Sequence, residues 1–183
     1  MNIDIFNTDN KYDIIYADPP WSYKVWSKKG KGRSAENHYS TMDKKDIQDL
    51  PIQNIAKENS VLFLWVIAPC LEEGLELIKE WGFTYKTIAF NWVKRNKISD
   101  SWFWGLGYYT RANSELCLLA TKGKTLKRIS KSVHQVVDDR IMRHSEKPDT
   151  VRKRIVELFG DLPRIELFAR EQFKGWDCWG NEV

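Results

Sequence analysis

Short apolar runs are spaced along the whole chain and predict the strands of a sheet. The run from Val61 to Ile67 contains no charged residue, as in a strand that is covered on both faces. The first run ends at Asp18 and two prolines, which stop a strand because proline lacks a backbone N–H. The predicted strands are residues 12–17, 61–67, 84–93, 115–120, 133–137 and 164–169.

Apolar residues at helical spacing lie between several of these strands. Leu71, Leu75 and Ile78 recur in this way after Pro69, with charged residues between them, and Gly82 ends the pattern. Strands that alternate with helices predict an α/β fold with a largely parallel sheet, which binds ligands at the carboxyl ends of its strands. The predicted helices are residues 43–50, the segment between Pro69 and Gly82, and residues 148–160.

The composition is typical of one soluble globular domain that spans residues 1–183, with 42% hydrophobic residues and a mean hydropathy of −0.53. No run of about 18 uncharged apolar residues occurs, so we expect no membrane span. No charged and then apolar leader opens the sequence, and we expect a cytoplasmic protein. Three cysteines and three histidines lack metal-ligand spacing, which favours reduced thiols, mostly in the core, and no metal site.

Basic residues exceed acidic ones only slightly, 29 against 25, but many of them are clustered. Residues 22–33 and 121–131 each hold five Lys or Arg and no acid, and Lys94, Arg95 and Lys97 form a third cluster. Such clusters suit a polyanion, because each neutralised phosphate releases counterions. They suit solvated loops as well, and both interpretations stay open.

Residues 94–111 form a long basic and aromatic segment, which predicts a functional loop. Trp102 and Trp104 in this segment suit stacking on single bases of a nucleic acid, since they lie beside Lys and Arg. A small apolar cluster that anchors the loop explains the same two residues equally well.

The motif after the first strand, Asp18-Pro19-Pro20-Trp21, matches the chemistry of methylating an exocyclic amine. Such an amine is a poor nucleophile, because its lone pair is delocalised into the purine ring. Asp18 and the Pro19 carbonyl can each accept one N–H of the amine and favour its nucleophilic form, while the prolines fix the turn. Trp21 offers a flat face to a base that is flipped out of its strand. The structural alternative is a proline-rich turn with a capping Asp and a core Trp.

Asp18-Pro19-Pro20-Trp21 and eight further motifs follow one another in the order found in one family of enzymes. On these motifs, the chain resembles the MT-A70 family of S-adenosylmethionine-dependent adenine-N6 methyltransferases over residues 12–182. The resemblance implies a Rossmann-like methyltransferase sheet, mostly parallel with an antiparallel strand. It also implies S-adenosylmethionine as the cofactor, and a permuted order in which the amine motif precedes the cofactor motif. The further motifs are Leu64-Trp65-Val66, Trp81-Gly82-Phe83, Trp92-Val93-Lys94, Gly107-Tyr108-Tyr109-Thr110-Arg111, His144-Ser145-Glu146-Lys147-Pro148, Glu166-Leu167-Phe168-Ala169-Arg170, Gly175-Trp176 and Gly180-Asn181-Glu182.

The resemblance implies roles for individual residues. The catalytic positions are Asp18, Pro19, Pro20 and Trp21. The contacts with the target base and the nucleic acid are Trp21, Tyr39, Lys94, Tyr109 and Arg111. The contacts with the cofactor are Asp18, Lys147, Glu166, Arg170, Gln172, Asn181 and Glu182, with Gln172 at the ribose because Phe173 replaces a polar residue of the family pattern.

Several of these residues have structural alternatives. Lys147 lies at the start of a predicted helix, where backbone N–H groups favour an anion, and it also suits a plain helix start. Arg111 suits a phosphate clamp or an ion pair with Glu115. Glu166 suits a cofactor contact or a buried ion pair with a neighbouring arginine.

We expect a nucleic-acid substrate, with DNA preferred over RNA, because a compact chain without accessory domains resembles the bacterial and phage members of the family. The alternatives are an RNA adenine-N6 methyltransferase and a non-catalytic nucleic-acid-binding subunit of a methyltransferase complex. Such a subunit usually has a broken Asp-Pro-Pro-Trp motif, whereas this motif is intact. So small a domain flips and reads a base with few contacts, which favours a homodimer or a partner subunit.

Overall fold

The computed structural model describes residues 1–21, 42–143 and 146–183. The strands within them are β1 (Tyr12–Ala17), β2 (Ala56–Val66), β3 (Thr84–Arg95), β4 (Ser114–Lys122), β5 (Val136–Arg140), β6 (Arg164–Leu167) and β7 (Asp177–Trp179). They form one sheet in the order β5-β3-β4-β2-β1-β6-β7. β4 is antiparallel to both of its neighbours and the other pairs are parallel, which confirms a mostly parallel sheet with an antiparallel strand.

Helices cover both faces of this sheet. On one face, Ile78 packs in the same apolar cluster as Leu64 of β2. On the other face, Ile155 packs in the same cluster as Trp65, the next residue of β2. β2 is therefore buried on both sides, as its continuous apolar run predicts. The described helices are α1 (Lys44–Gln48), α2 (Ile52–Ile55), α3 (Leu71–Glu80) and α4 (Asp149–Phe159).

The elements differ from the predicted ones where the apolar signal is weak or interrupted. β1 has the predicted bounds, and α1 lies within the helix predicted over 43–50, whereas α2, which Pro51 separates from α1, is not predicted. The strand predicted over 133–137 lies instead at Val136–Arg140, since β5 is an edge strand with charged residues. β7 is not predicted, because its three residues are too few to form a pattern.

The ends of the parallel strands meet at one edge of the sheet, the carboxyl edge. The chain leaves β1 at Asp18 there, and it leaves β6 toward Arg170. β3 also ends there and continues into residues 96–113, the β3–β4 loop. β4 ends at the opposite edge, the amino edge, because it runs antiparallel. The carboxyl edge therefore gathers most of the predicted site residues.

The three cysteines are buried and unpaired, which confirms core thiols. No helix within the described residues combines the length and apolar character needed to cross a membrane. In the same part of the chain, no three His, Cys, Asp or Glu side chains gather around a common point that suits a metal ion.

Candidate active site

Asp18 lies where β1 leaves the sheet at the carboxyl edge. Pro19 and Pro20 turn the chain there, and the Pro19 carbonyl accepts the backbone N–H of Trp21 at 2.8 Å. This bond fixes the direction of the carbonyl and leaves it a second lone pair for another donor. The Asp18 side chain is 22% exposed, so a substrate can reach it. β1 thus presents the two predicted acceptors on adjacent residues.

Alternating charges lead from Asp18 into the protein. The Lys147 ammonium lies 2.6 Å from Asp18 Oδ2 and 3.0 Å from Glu115 Oε1. The other oxygen of Glu115, Oε2, lies 2.6 Å from Lys94 Nζ. Lys147 and Glu115 are buried, so these contacts act in surroundings of low dielectric constant. The four residues together form the charge chain.

Burial and neighbouring charges shift the pKa values in the charge chain. Burial raises the pKa of the Asp18 carboxyl above its ordinary value, and the Lys147 ammonium opposes that rise. Burial alone would lower the pKa of Lys147, but the Asp18 and Glu115 carboxylates raise it. Burial alone would raise the pKa of Glu115, but Lys147 and Lys94 bring it down to about 2. Glu115 is therefore the fixed negative charge that keeps Lys147 protonated beside Asp18.

Glu115 belongs to the charge chain, a role that the sequence does not predict for it. The sequence signal is a glutamate at the start of an otherwise apolar strand, which requires a buried partner. The antiparallel register places Glu115 opposite Trp92. Lys94 lies two residues beyond Trp92 on the same face of β3, and its ammonium rests 4.7 Å from the Trp92 ring centroid. Lys94 therefore holds Glu115 in the structure, and its contact with a substrate stays a prediction.

Trp65 lies beside the charge chain and helps to fix Lys147. Its ring is fully buried, and the Lys147 ammonium lies 5.5 Å from the ring centroid. The Trp65 indole N–H donates to the Tyr16 hydroxyl at 2.7 Å, which sets the orientation of the ring. Lys147 thus contacts two carboxylates and an aromatic face, and its contact with the cofactor carboxylate stays a prediction.

The residues that follow β6 and β7 come together on the same edge as Asp18. Arg170 Nε lies 3.4 Å from Glu182 Oε1, and the charge of Arg170 opposes the rise in the Asp18 pKa. Gly180 permits this approach, because a Cβ there would lie 2.2 Å from the Ala169 carbonyl oxygen. The exposed carboxylate and amide of Glu182 and Asn181 can bond with hydroxyl groups. This donor and acceptor set fits the ribose end of S-adenosylmethionine.

Glu166 forms a buried ion pair with Arg152 of α4. The Arg152 Nε donates to Oε2 at 2.7 Å, and its Nη2 donates to Oε1 at 2.5 Å. The neighbouring Arg164 pairs instead with Asp161. Because Arg152 already binds both carboxylate oxygens, the structure favours the ion-pair alternative for Glu166 over a contact with the cofactor.

Gln172 lies away from the other predicted cofactor residues. The chain after β6 returns to the amino edge before β7 begins, since the two strands are parallel. On this return Gln172 lines an open groove of about 640 Å³ with Tyr12 and Arg164, the residues at which β1 and β6 begin. The geometry therefore does not support the expected contact between Gln172 and the ribose.

Trp21 packs into the core behind the turn. The ring is buried, and its indole N–H donates to the Trp65 backbone carbonyl at 2.8 Å. It borders a cavity of about 100 Å³ that Met42 and Cys70 also line. The structure thus shows the core packing of Trp21, and its stacking on a base stays a prediction. Tyr39, the other residue predicted at the target base, lies outside the described residues.

Tyr109 and Arg111 lie in the β3–β4 loop at the same edge. Tyr109 is 93% exposed. The Arg111 guanidinium lies 5.3 Å from the ring centroid of Trp104, whereas Glu115 pairs with the two lysines of the charge chain. The structure thus shows no ion pair between Arg111 and Glu115, and a phosphate contact stays open for Arg111.

The basic clusters lie in different places. Residues 94–97 are at the carboxyl edge, whereas residues 121–131 follow the end of β4 at the amino edge. β4 has nine residues and so spans roughly 30 Å. These two clusters therefore cannot contact the same few nucleotides. The cluster at residues 22–33 lies outside the described residues.

The chain is similar to known methyltransferases over most of its length. The MT-A70 family model matches residues 12–182. The chain is 35% identical to the Type II methyltransferase M.MunI of Mycoplasma sp, over 94% of the chain and 78% of that enzyme. It is 26% identical to the N(6)-adenosine-methyltransferase MT-A70-like protein of Arabidopsis thaliana, over the whole chain and 25% of that protein.

The chain is also 27% identical to the N(6)-adenosine-methyltransferase catalytic subunit METTL3 of Homo sapiens, over 94% of the chain. It spans 28% of that protein, so it matches only part of the plant and human relatives but most of the bacterial one. The family model covers nearly the whole chain, from the first strand to the Asn-Glu pair that follows the last one. The chain therefore belongs to the MT-A70 family of S-adenosylmethionine-dependent adenine-N6 methyltransferases.

Proposed function

We propose that this chain methylates the exocyclic N6 amine of adenine in DNA, with the target base flipped out of its strand and the methyl group transferred in line. The Asp18 carboxylate is the observation that carries this proposal. Lys147 binds its Oδ2, whereas its Oδ1 has no hydrogen-bond donor among the described residues. An acceptor that is fixed in place before the substrate arrives favours the nucleophilic form of the amine.

Asp18 and Pro19 act on the two N–H groups of the amine. The raised pKa of Asp18 makes its carboxylate a stronger proton acceptor than an exposed aspartate. The second lone pair of the Pro19 carbonyl takes the other N–H. Lys147 cannot leave Asp18 without also straining its contact with Glu115, so the charge chain holds the carboxylate in one orientation.

Three of the predicted cofactor residues, Arg170, Asn181 and Glu182, follow β6 and β7 at the same edge of the sheet as Asp18. When bound, S-adenosylmethionine supplies a methyl group that its sulfonium charge makes electrophilic. Glu182 and Asn181 bind the ribose hydroxyls in this proposal, and Arg170 orients the Glu182 carboxylate. Placing the two reactants between Asp18 and Arg170 supplies much of the rate, because proximity and orientation remove entropy from the barrier.

The names of the relatives support DNA as the first candidate substrate and RNA as the second. The relative named a Type II methyltransferase favours DNA, and it shares the higher identity over most of its own length. The relatives named N(6)-adenosine-methyltransferases favour RNA, but the chain spans less than a third of each. RNA is therefore the second candidate. The intact Asp-Pro-Pro-Trp turn argues against a non-catalytic subunit.

Label transfer from S-adenosylmethionine to matched DNA and RNA oligonucleotides tests the proposal, with the modified nucleoside identified by mass. We expect N6-methyladenine in the DNA. Label mainly in the RNA would replace the first candidate by the second. No transfer to either, together with no S-adenosylmethionine binding by calorimetry, would contradict an enzymatic function.

A further inference from the structure

The β3–β4 loop holds six of the twelve large hydrophobic side chains that are exposed in the described part of the chain. Exposed apolar groups concentrated in one place mark a binding surface, because water does not favour them. The loop begins just after Lys94 and ends just before Glu115, so it borders the charge chain. The six residues are Ile98, Trp102, Trp104, Leu106, Tyr108 and Tyr109.

The backbone of the loop is tightly built around two glycines. A bridge between Gly105 and Ala112 closes a small hairpin with residues 106–111 at its tip. A Cβ at Gly105 would lie 2.0 Å from the Ala112 carbonyl oxygen, and one at Gly107 would lie 2.1 Å from that of Thr110. Because the two sides of the hairpin approach this closely, no side chain fits between them at the two glycines, and Tyr108 and Tyr109 at the tip are exposed.

The two tryptophans of the loop differ in their surroundings. Arg95 lies 4.1 Å from the Trp102 ring centroid, and Asp138 binds the Arg95 guanidinium at 2.7 Å, so Trp102 is anchored to β5. Trp104 is 68% exposed and contacts Arg111. Arg111 has no acidic partner within the described residues. The anchoring alternative therefore fits Trp102, whereas Trp104 and Arg111 present an aromatic face beside an available positive charge.

We infer that Trp104 and Arg111 bind an unpaired nucleotide next to the target adenine, an inference that rests on the proposed function. Trp104 stacks on the base of this nucleotide, and Arg111 neutralises its phosphate. Tyr109, at the tip of the same hairpin, extends the aromatic surface. An apolar protein partner would cover Arg111 without pairing its charge, which is costly, so a nucleotide is the better occupant.

Binding of a single-stranded oligonucleotide with one target adenine, followed by fluorescence anisotropy, tests this inference together with methyl transfer. Trp104→Ala should weaken binding about 10-fold and raise KM, with kcat little changed, because a stacked base loses its platform. Trp104→Phe should restore most of the affinity, since phenylalanine keeps an aromatic face. The matched control is Ile129→Ala at the amino edge, where the side chain is 67% exposed, and it should bind like the wild type.

An abasic nucleotide beside the target adenine identifies the stacked base. It should weaken binding to the wild type about 10-fold and leave binding to Trp104→Ala almost unchanged, because the two changes remove the same contact. Equal losses in both proteins would overturn the inference. The inference would also be overturned if Trp104→Ala bound the oligonucleotide as tightly as the wild type, or if the substitution changed only the oligomeric state. In either case continued methylation would leave the proposed function intact. A wild type that methylates no oligonucleotide would overturn both.

Discussion

At the scale of single residues, Asp18 depends on charges that lie behind it. Lys147 contacts Asp18 directly, and Glu115 contacts Lys147 from the buried side. Lys94 then covers the second oxygen of Glu115. Removing a partner from such a buried pair leaves an uncompensated charge, which costs more than the pair itself contributes. The two inner residues therefore affect both the stability of the fold and the orientation of Asp18.

The substitution Glu115→Gln removes the shared negative charge and keeps the shape of the side chain. The free energy of unfolding at neutral pH should fall by about 3 kcal/mol, because Lys147 and Lys94 lose a buried partner. Folding lowers the pKa of Glu115 from 4.5 to about 2, so its charge stabilises the fold above pH 4.5 and this contribution is lost as the pH falls toward 2.

Urea unfolding over this pH range measures the effect. The difference in unfolding free energy between the wild type and Glu115→Gln should shrink as the pH falls from 4.5 toward 2. Glu58→Gln is the control, since Glu58 is exposed, and it should change little at any pH. A difference for Glu115→Gln that stays constant down to the lowest pH would contradict the assignment.

The sequence predicts that Asp18 and Arg170 lie at the carboxyl edge, because each comes shortly after a parallel strand and the carboxyl ends of such strands meet, while their roles in the reaction stay predictions. It does not predict the partners of the buried charges. Glu115 meets Lys94 through the antiparallel register, and Glu166 meets Arg152 through the packing of α4 on the sheet. Both pairings depend on tertiary structure. The sequence alone indicates that a buried glutamate requires a basic partner, but it does not identify which residue that partner is.

At the scale of elements, α4 links the active site to the sheet. Lys147 lies just before its first turn, and Arg152 lies within it. The two hydrogen bonds from Arg152 to Glu166 fix α4 against β6. This contact therefore fixes the position from which Lys147 reaches Asp18.

Glu166→Gln separates the structural role of Glu166 from a role in cofactor binding. The free energy of unfolding should fall by about 3 kcal/mol, because Arg152 loses its carboxylate. The Kd for S-adenosylmethionine, measured by calorimetry on the folded variant, should change less than about threefold, since α4 keeps its apolar contacts. Glu157→Gln, on the exposed side of the same helix, is the control for stability. Unchanged stability with much weaker cofactor binding would restore the cofactor contact.

Elements with long apolar runs are the ones that the sequence predicts best. β1 has the expected bounds because only Asp13 interrupts its apolar residues and prolines stop it, and α3 ends just before the expected Gly82. β5 and β7 are the two outermost strands of the sheet and are short, and β5 contains charged residues. An edge strand buries less apolar surface, so its sequence contains less of the pattern that predicts a strand.

At the scale of the whole molecule, basic residues lie at both the carboxyl edge and the amino edge of the sheet. Only the carboxyl edge also holds Asp18 and the exposed aromatic loop. We therefore propose that the substrate lies along the carboxyl edge and that residues 121–131 belong to solvated loops.

The double variant Lys124→Ala/Lys127→Ala tests the amino edge. The KM for a short oligonucleotide should stay within about twofold of the wild type, because these lysines lie roughly 30 Å from the site. Arg111→Ala should raise this KM and reduce the slope of log Kd against log salt concentration by about one, since one phosphate contact is lost. Methyl transfer gives each KM, and fluorescence anisotropy of the bound oligonucleotide at several salt concentrations gives the slope. A larger effect of the double variant would place nucleic acid on the amino edge instead.

The most direct test of the central claim is methyl transfer by Asp18→Ala, with Asp13→Ala as the control. Asp18 follows the last residue of β1, whereas Asp13 is the second residue of this strand and pairs with Lys57 near the amino edge. Both variants should fold, since Lys147 keeps its contact with Glu115 when Asp18 is removed. Asp18→Ala should lower the rate at least about 100-fold, whereas Asp13→Ala should methylate like the wild type. A folded Asp18→Ala variant with near-normal turnover would contradict the claim that this carboxylate prepares the amine.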